Sequence, residues 1–210
     1  MTPFPYLSQR KMPKAVIAAL EHLVYSPDGG RISDVEFEMG RPHGGRLPFR
    51  IIVDGRVKLL CELTDVYPFL ERLRDWMERC LYIDRNGEMG FESIKLECRD
   101  DVYLLMLCQA GGDVTEMDDR ILSGIIVARN RSSMPVLSRL CPLYQVLGRL
   151  YEAIIRCIER NRSAFNNPST WYDVKRFDRL DKRDTADRLL EKIHSEKMER
   201  ILVLEKKYLF

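Results

Sequence analysis

Two β-rich runs, Phe49 to Val53 and Arg56 to Leu63, are separated by nothing but Asp54-Gly55. A connection this short needs positive φ at both central residues, which Asp and Gly tolerate, and it can join only antiparallel neighbours. Any fold for the chain is therefore built around a hairpin in its first third. Upstream, the stretch Ile32 to Met39 alternates Val35, Phe37 and Met39 with Asp34, Glu36 and Glu38, the period of a strand with one covered face. The loop Gly40-Arg41-Pro42-His43-Gly44-Gly45-Arg46 joins that strand to the hairpin.

The remaining elements follow from period and punctuation. Lys14 to Tyr25 and Val66 to Tyr82 carry apolar residues at helical spacing. Pro68 suits a first turn, and Thr64 or Asp65 can cap it. Asn86-Gly87 marks a turn before a strand over Phe91 to Arg99. Val102 to Gln109 is almost continuously apolar and reads as a central strand covered on both faces. After an acidic loop, Arg120 to Arg129 is the last clear strand. Pro135 and Pro142 then bracket the entry to a helix running to about Asn161. Trp171 to Asp181 is an irregular aromatic and charged connection, and a charged helix with a narrow apolar stripe runs from Thr185 to about Lys207.

Short turns between consecutive strands argue against a doubly wound α/β fold, since parallel neighbours need crossovers of about a dozen residues. The expected class is α+β: an antiparallel or mixed sheet of about six strands, with helices packed on one face and a C-terminal helical extension. Residues 1–165 form the expected core domain, and 166–210 a connection and helix packed on the core or on a second subunit. One internal echo stands out. Pro68, Leu70, Leu73, Trp76, Met77 and Glu78 match Pro142, Tyr144, Leu147, Leu150, Tyr151 and Glu152 in spacing. Two amphipathic helices led by prolines would look alike anyway. A true duplication requires two superposable strand-helix units.

Charge and cysteine usage bound the function classes. The 34 Lys and Arg nearly cancel the 32 Asp and Glu, so no overall field draws the molecule to nucleic acid or anionic lipid. The six cysteines are scattered singly inside apolar runs, and the three histidines are far apart. This is the pattern of buried free thiols, without the paired spacing of zinc modules. No cofactor motif is present, and no metal or cofactor is expected. The N-terminal residues have no apolar segment of signal type, and Val102 to Ala110 is about half the length of a membrane span. The expectation is a protein of the reducing cytoplasm with no membrane contact.

Several segments are site-like. Glycines in the Gly40 to Arg46 loop let backbone N–H groups approach an anion, with Arg41, Arg46 and His43 supplying charge. The P-loop spacing is absent, and an exposed hairpin connection is the plainer reading. The acidic loop Gly111 to Asp119 lacks the glycine and glutamate positions of a calcium loop. Trp171, Tyr172, Lys175, Arg176 and Phe177 interleave aromatics with cations, as single-strand nucleic-acid binders do. Asp173, Asp178 and Asp181 dilute that charge, and the aromatics serve equally to pin the last helix. Glu78 and Glu152 make a conceivable carboxylate pair, although each lies among charges typical of exposed helix surface. No residue stands in a catalytic motif, so no catalytic residue is assigned.

Together these features favour a non-enzymatic protein-protein interaction module, of which an immunity- or antitoxin-like protein is one concrete form. It would hold a protein partner with a sheet face or with the C-terminal helical segment, through which a homodimer could also form. Two alternatives stay open. One is a nucleic-acid-associated protein using Arg41, Arg46 and the 175–183 segment. The other is an enzyme with a concave site beside the Gly40 to Arg46 loop.

Overall fold

The computed structural model describes residues 32–81, 91–109, 122–129, 135–167 and 185–208. The expected helix at Lys14 to Tyr25, the Asn86-Gly87 turn, the acidic loop and the 171–183 segment lie outside the described residues. The observed class is α+β. Strands β1 (Val35–Met39), β2 (Arg46–Val53) and β3 (Arg56–Thr64) form one antiparallel sheet. Strands β4 (Phe91–Glu97), β5 (Val102–Gln109), β6 (Leu122–Arg129) and β7 (Pro135–Pro142) form another. Helix α1 (Val66–Cys80) follows β3 and α2 (Leu143–Arg160) follows β7. The short α3 (Arg162–Phe165), α4 (Thr185–Ile193) and α5 (Glu196–Tyr208) are the remaining helices among the described residues.

The single sheet of about six strands expected from sequence is thus replaced by two antiparallel sheets. The reason is α1, a 15-residue helix that interrupts the meander. The sheets still meet at two single backbone pairs, Leu63 with Cys98 in antiparallel sense and Ile32 with Leu140 in parallel sense. The stretch from Pro135 to Pro142, expected to lead into a helix, is strand β7. Pairing with β6 overrides the two prolines, which sit at the strand's ends where a missing N–H costs least.

Local chemistry explains the turns. Asp54 and Gly55 both have positive φ, 50° and 72°, as a two-residue hairpin of this type demands. Asp54 adds a lock: its carboxylate accepts the Asp34 N–H (3.0 Å) and the Ser33 hydroxyl (3.2 Å). Asp65 stands at the start of α1 in the left-handed region, with φ 54° and ψ 50°. Its side chain makes no capping bond there. The residue acts as a backbone corner, while Thr64 donates its hydroxyl to the Glu97 carbonyl (3.1 Å). The expected C-terminal helix is broken at His194-Ser195. Ser195 Oγ accepts the Met198 N–H (3.3 Å), so a new helix is capped there.

One core joins all layers. Val35, Phe37, Phe49 and Ile51 of the first sheet pack with Leu96, Leu105, Ile125 and Val127 of the second. Trp76 of α1, Leu150 of α2, Leu189 of α4 and Ile201 of α5 belong to the same cluster. The second sheet is covered on both faces, because Met106, Cys108, Ile126 and Ala128, on the side away from this cluster, are buried too. That agrees with the apolar run of β5. The outer face of the first sheet is open, with Glu36, Glu38, Arg50 and Leu60 exposed. Among the described residues, no helix is long and apolar enough to cross a membrane.

The helices trade places: α1 packs on β4 and α2 packs on β1, each covering the other sheet's first strand. The hairpin-helix units β2-β3-α1 and β6-β7-α2 also correspond in detail. Strands β2 and β6 are both eight residues long, with register shifts at Ile51/Ile52 and Val127/Ala128, the same step in each. Aligning the helix starts places Phe69, Leu70, Leu73, Trp76, Met77 and Cys80 on Val146, Leu147, Leu150, Ala153, Ile154 and Cys157. All twelve are buried. The proline-based alignment of the sequence echo was out of step with this one, because Pro68 lies inside α1 whereas Pro142 precedes α2.

Candidate functional site

The site begins with the way β7 ends. Ser33 donates its N–H to the Leu140 carbonyl (2.8 Å), so the end of β7 lies alongside the segment leading into β1. Pro142 lacks an N–H and is the last residue of β7, and the chain then winds into α2. No described strand covers the rest of the β1 edge.

The hydrogen-bond parity of β1 identifies what that edge offers. Gly40 donates to the Pro48 carbonyl and the Asp34 carbonyl accepts from Asp54, each at 2.9 Å, so even-numbered residues face β2. The odd-numbered Val35, Phe37 and Met39 therefore turn their N–H and C=O groups to the open side. Gly40 is needed at the end of the strand, since a Cβ there would come within 3.0 Å of Pro48 Cβ.

Helix α2 is clamped along this edge at two points. Arg149 donates to the Val35 carbonyl (3.0 Å) and to the Asp34 carboxylate, which also accepts from Gln145 Nε2 (3.1 Å). At the far end, the Cys157 thiol donates to the Gly40 carbonyl (3.4 Å). Burial pushes that thiol up to about 12, so it stays protonated and structural.

Between the clamps lies a groove of about 740 Å³. One wall is β1 with Glu36 and Glu38. The other is the polar stripe of α2, Arg149, Glu152, Arg156 and Arg160, spaced so that all four share one helix face. Glu38 is paired with Arg50 (3.3 Å) and Glu152 with Arg156. Arg160 has no ion-pair partner among the described residues and is exposed. The helix wall is accordingly the cationic side and the strand wall the anionic one.

The residues singled out in the sequence fall into two groups. Arg41, His43 and Arg46 lie on a tight turn, with Gly44 and Gly45 at φ 52° and 73°. His43 and Arg46 exchange backbone hydrogen bonds of 2.9 Å across it. Glu62 draws their side chains together: Arg46 Nη1 is 3.3 Å and His43 Nε2 3.7 Å from its carboxylate. His43 Nδ1 donates to the Arg41 carbonyl (3.3 Å), while the Arg41 side chain is exposed. A phosphate at this turn would have to displace Glu62. Trp171, Tyr172, Lys175, Arg176 and Phe177 lie outside the described residues. Glu78 and Glu152 are not brought together, for Glu78 accepts from Arg74, Ser195 and Lys197, away from the groove.

The groove residues Glu36, Glu38, Arg149, Arg156 and Arg160 carried no motif. Their signal was the charged face of a strongly amphipathic helix, which in sequence is indistinguishable from solvated surface. Among the described residues, no cluster of three His, Cys, Asp or Glu side chains is disposed to hold a metal ion. Compared with protein-family models, with curated proteins and with solved structures, the chain matches none.

Proposed function

We propose that the protein is a non-enzymatic protein-binding module that takes an extended, acidic segment of a partner protein as an added strand along β1. The observation that carries this reading is the open odd-numbered edge of β1 beside the groove. Phe37 and Met39 offer backbone donors and acceptors at strand spacing, next to about 740 Å³ of space. Main-chain hydrogen bonds would supply affinity, and alternate side chains specificity. Those turned toward α2 meet Arg156 and Arg160, which favours carboxylates. Those on the outer face lie beside Glu36 and Glu38, which favours basic or neutral residues. Neutralisation of a toxin, in the immunity or antitoxin manner, is one use of such a module.

The test uses synthetic peptides with carboxylates at alternate positions, and amide hydrogen exchange of the full chain. Binding should protect the Phe37 and Met39 amides, leave the already bonded Glu36 and Glu38 amides unchanged, and weaken about tenfold in Arg160→Glu. Protection of other strands, or equal binding by the charge-reversed variant, would count against it.

A further inference from the structure

The groove leaves unused a pair of thiols on the opposite side of the first sheet. Cys61 lies on β3, and Cys98 directly follows β4. The single backbone pair that joins the two sheets here is Leu63 with Cys98. Cys61 is two residues before Leu63, so its side chain leaves β3 on the same side and stands diagonal to Cys98 across the seam. Both thiols are half-buried and packed against the rim of the core, so a small reagent can reach them. Among the described residues, the hydrogen-bonded links between β3 and β4 are this one backbone pair and the Thr64-Glu97 bond, fewer than in a continuous ladder, and a disulfide requires the diagonal pair to close to about 4 Å between Cβ atoms.

We propose that Cys61 and Cys98 are an oxidation site, at which a small-molecule disulfide converts the two thiols into an intramolecular disulfide bridging the two sheets. The chemistry is thiol-disulfide exchange. The Cys98 thiolate attacks one sulfur of the small disulfide, forming a mixed disulfide and expelling one small thiolate. Cys61 gives its proton to solvent and attacks the Cys98 sulfur, expelling the second. The expelled thiolates take up the protons released, so two protein thiols are oxidised and one small disulfide is reduced to two thiols.

The thiol environments agree with this order of events. The neighbouring Cys61 thiol draws Cys98 below the ordinary thiol range; the same pairing, which ends once Cys98 enters the mixed disulfide, acts with burial to push Cys61 up. The other four thiols are buried. Desolvation raises Cys108, Cys141 and Cys157 to about 12 and Cys80 well above its ordinary value. They are therefore poor nucleophiles in the folded protein.

The experiment incubates the full chain with oxidised glutathione, blocks remaining thiols under native conditions, and maps unreduced peptides by mass spectrometry. The expected product is a monomer with Cys61 linked to Cys98 and the other four thiols free. Cys61→Ser should stop at a stable glutathione adduct on Cys98, and Cys98→Ser should leave Cys61 unmodified, with circular dichroism confirming that both variants fold. An adduct persisting on Cys98 in the unmodified protein, a link involving any other cysteine, or a link between two chains would overturn the assignment.

Discussion

Arg149 on α2 donates to both the carboxylate of Asp34 and the carbonyl of Val35, and so fixes the helix to the open edge of β1. The guanidinium is about three-quarters covered whereas Asp34 is half exposed, so the backbone acceptor carries more of the interaction than the surface ion pair does. Arg149→Met should cost about 1–2 kcal/mol in urea unfolding, and Asp34→Asn distinctly less. Equal losses would show that the ion pair, and not the edge carbonyl, anchors the helix.

The correspondence of the two hairpin-helix units predicts matched sensitivity. Leu73 and Leu150 occupy equivalent, fully buried places on α1 and α2. Leu73→Ala and Leu150→Ala should each cost about 2–5 kcal/mol, read from denaturant midpoints at constant m-value. Loss confined to one of them would mean that the units resemble each other without sharing the work of the core.

At Asp54, backbone and side chain make separate demands. Asn tolerates positive φ and keeps an acceptor for the Asp34 N–H, whereas Val does neither. Asp54→Asn is expected to be nearly neutral and Asp54→Val to cost about 1–3 kcal/mol, measured by thermal or chemical unfolding.

The buried thiols set an alkaline limit. Cys108, Cys141 and Cys157 titrate near 12 when folded, against about 8.5 for an unfolded thiol. Above pH 8.5 the unfolded chain releases these protons and the folded one does not, so stability is complete below that value and is lost as pH rises toward 12. Each thiol contributes a slope of up to about 1.4 kcal/mol per pH unit. In urea titrations between pH 8 and 11, Cys157→Ala should decline less steeply than the unmodified protein, and parallel curves would contradict the assignment.

The α5 start depends on Ser195, whose hydroxyl accepts the Met198 N–H and donates to Glu78 (3.1 Å). Ser195→Ala is expected to cost about 1 kcal/mol and to speed amide exchange at the start of α5. Unchanged exchange there would mean that the helix break has another cause.

What was legible in the sequence was local. The Asp54-Gly55 turn, the alternation that buries Val35 and Phe37, and the start of α1 at Val66 each rest on neighbouring residues whose conformational preferences agree. Strand β7 was not legible, because its two prolines argue against a strand until β6 is there to pair with it. The break at His194-Ser195 was hidden within a charged helical pattern, and only contact with Glu78 gives Ser195 its place.

By itself, then, the order of residues determined the class, the Asp54-Gly55 hairpin and the inward faces of β1 and α1, since φ preferences and side-chain period act over a few residues. Tertiary structure decided that the strands divide into two sheets, that the helices cross to each other's sheet, and that a cationic helix wall borders an open strand edge. Val35 and Arg149 are 114 residues apart, and no local pattern carries a relation that packing alone creates.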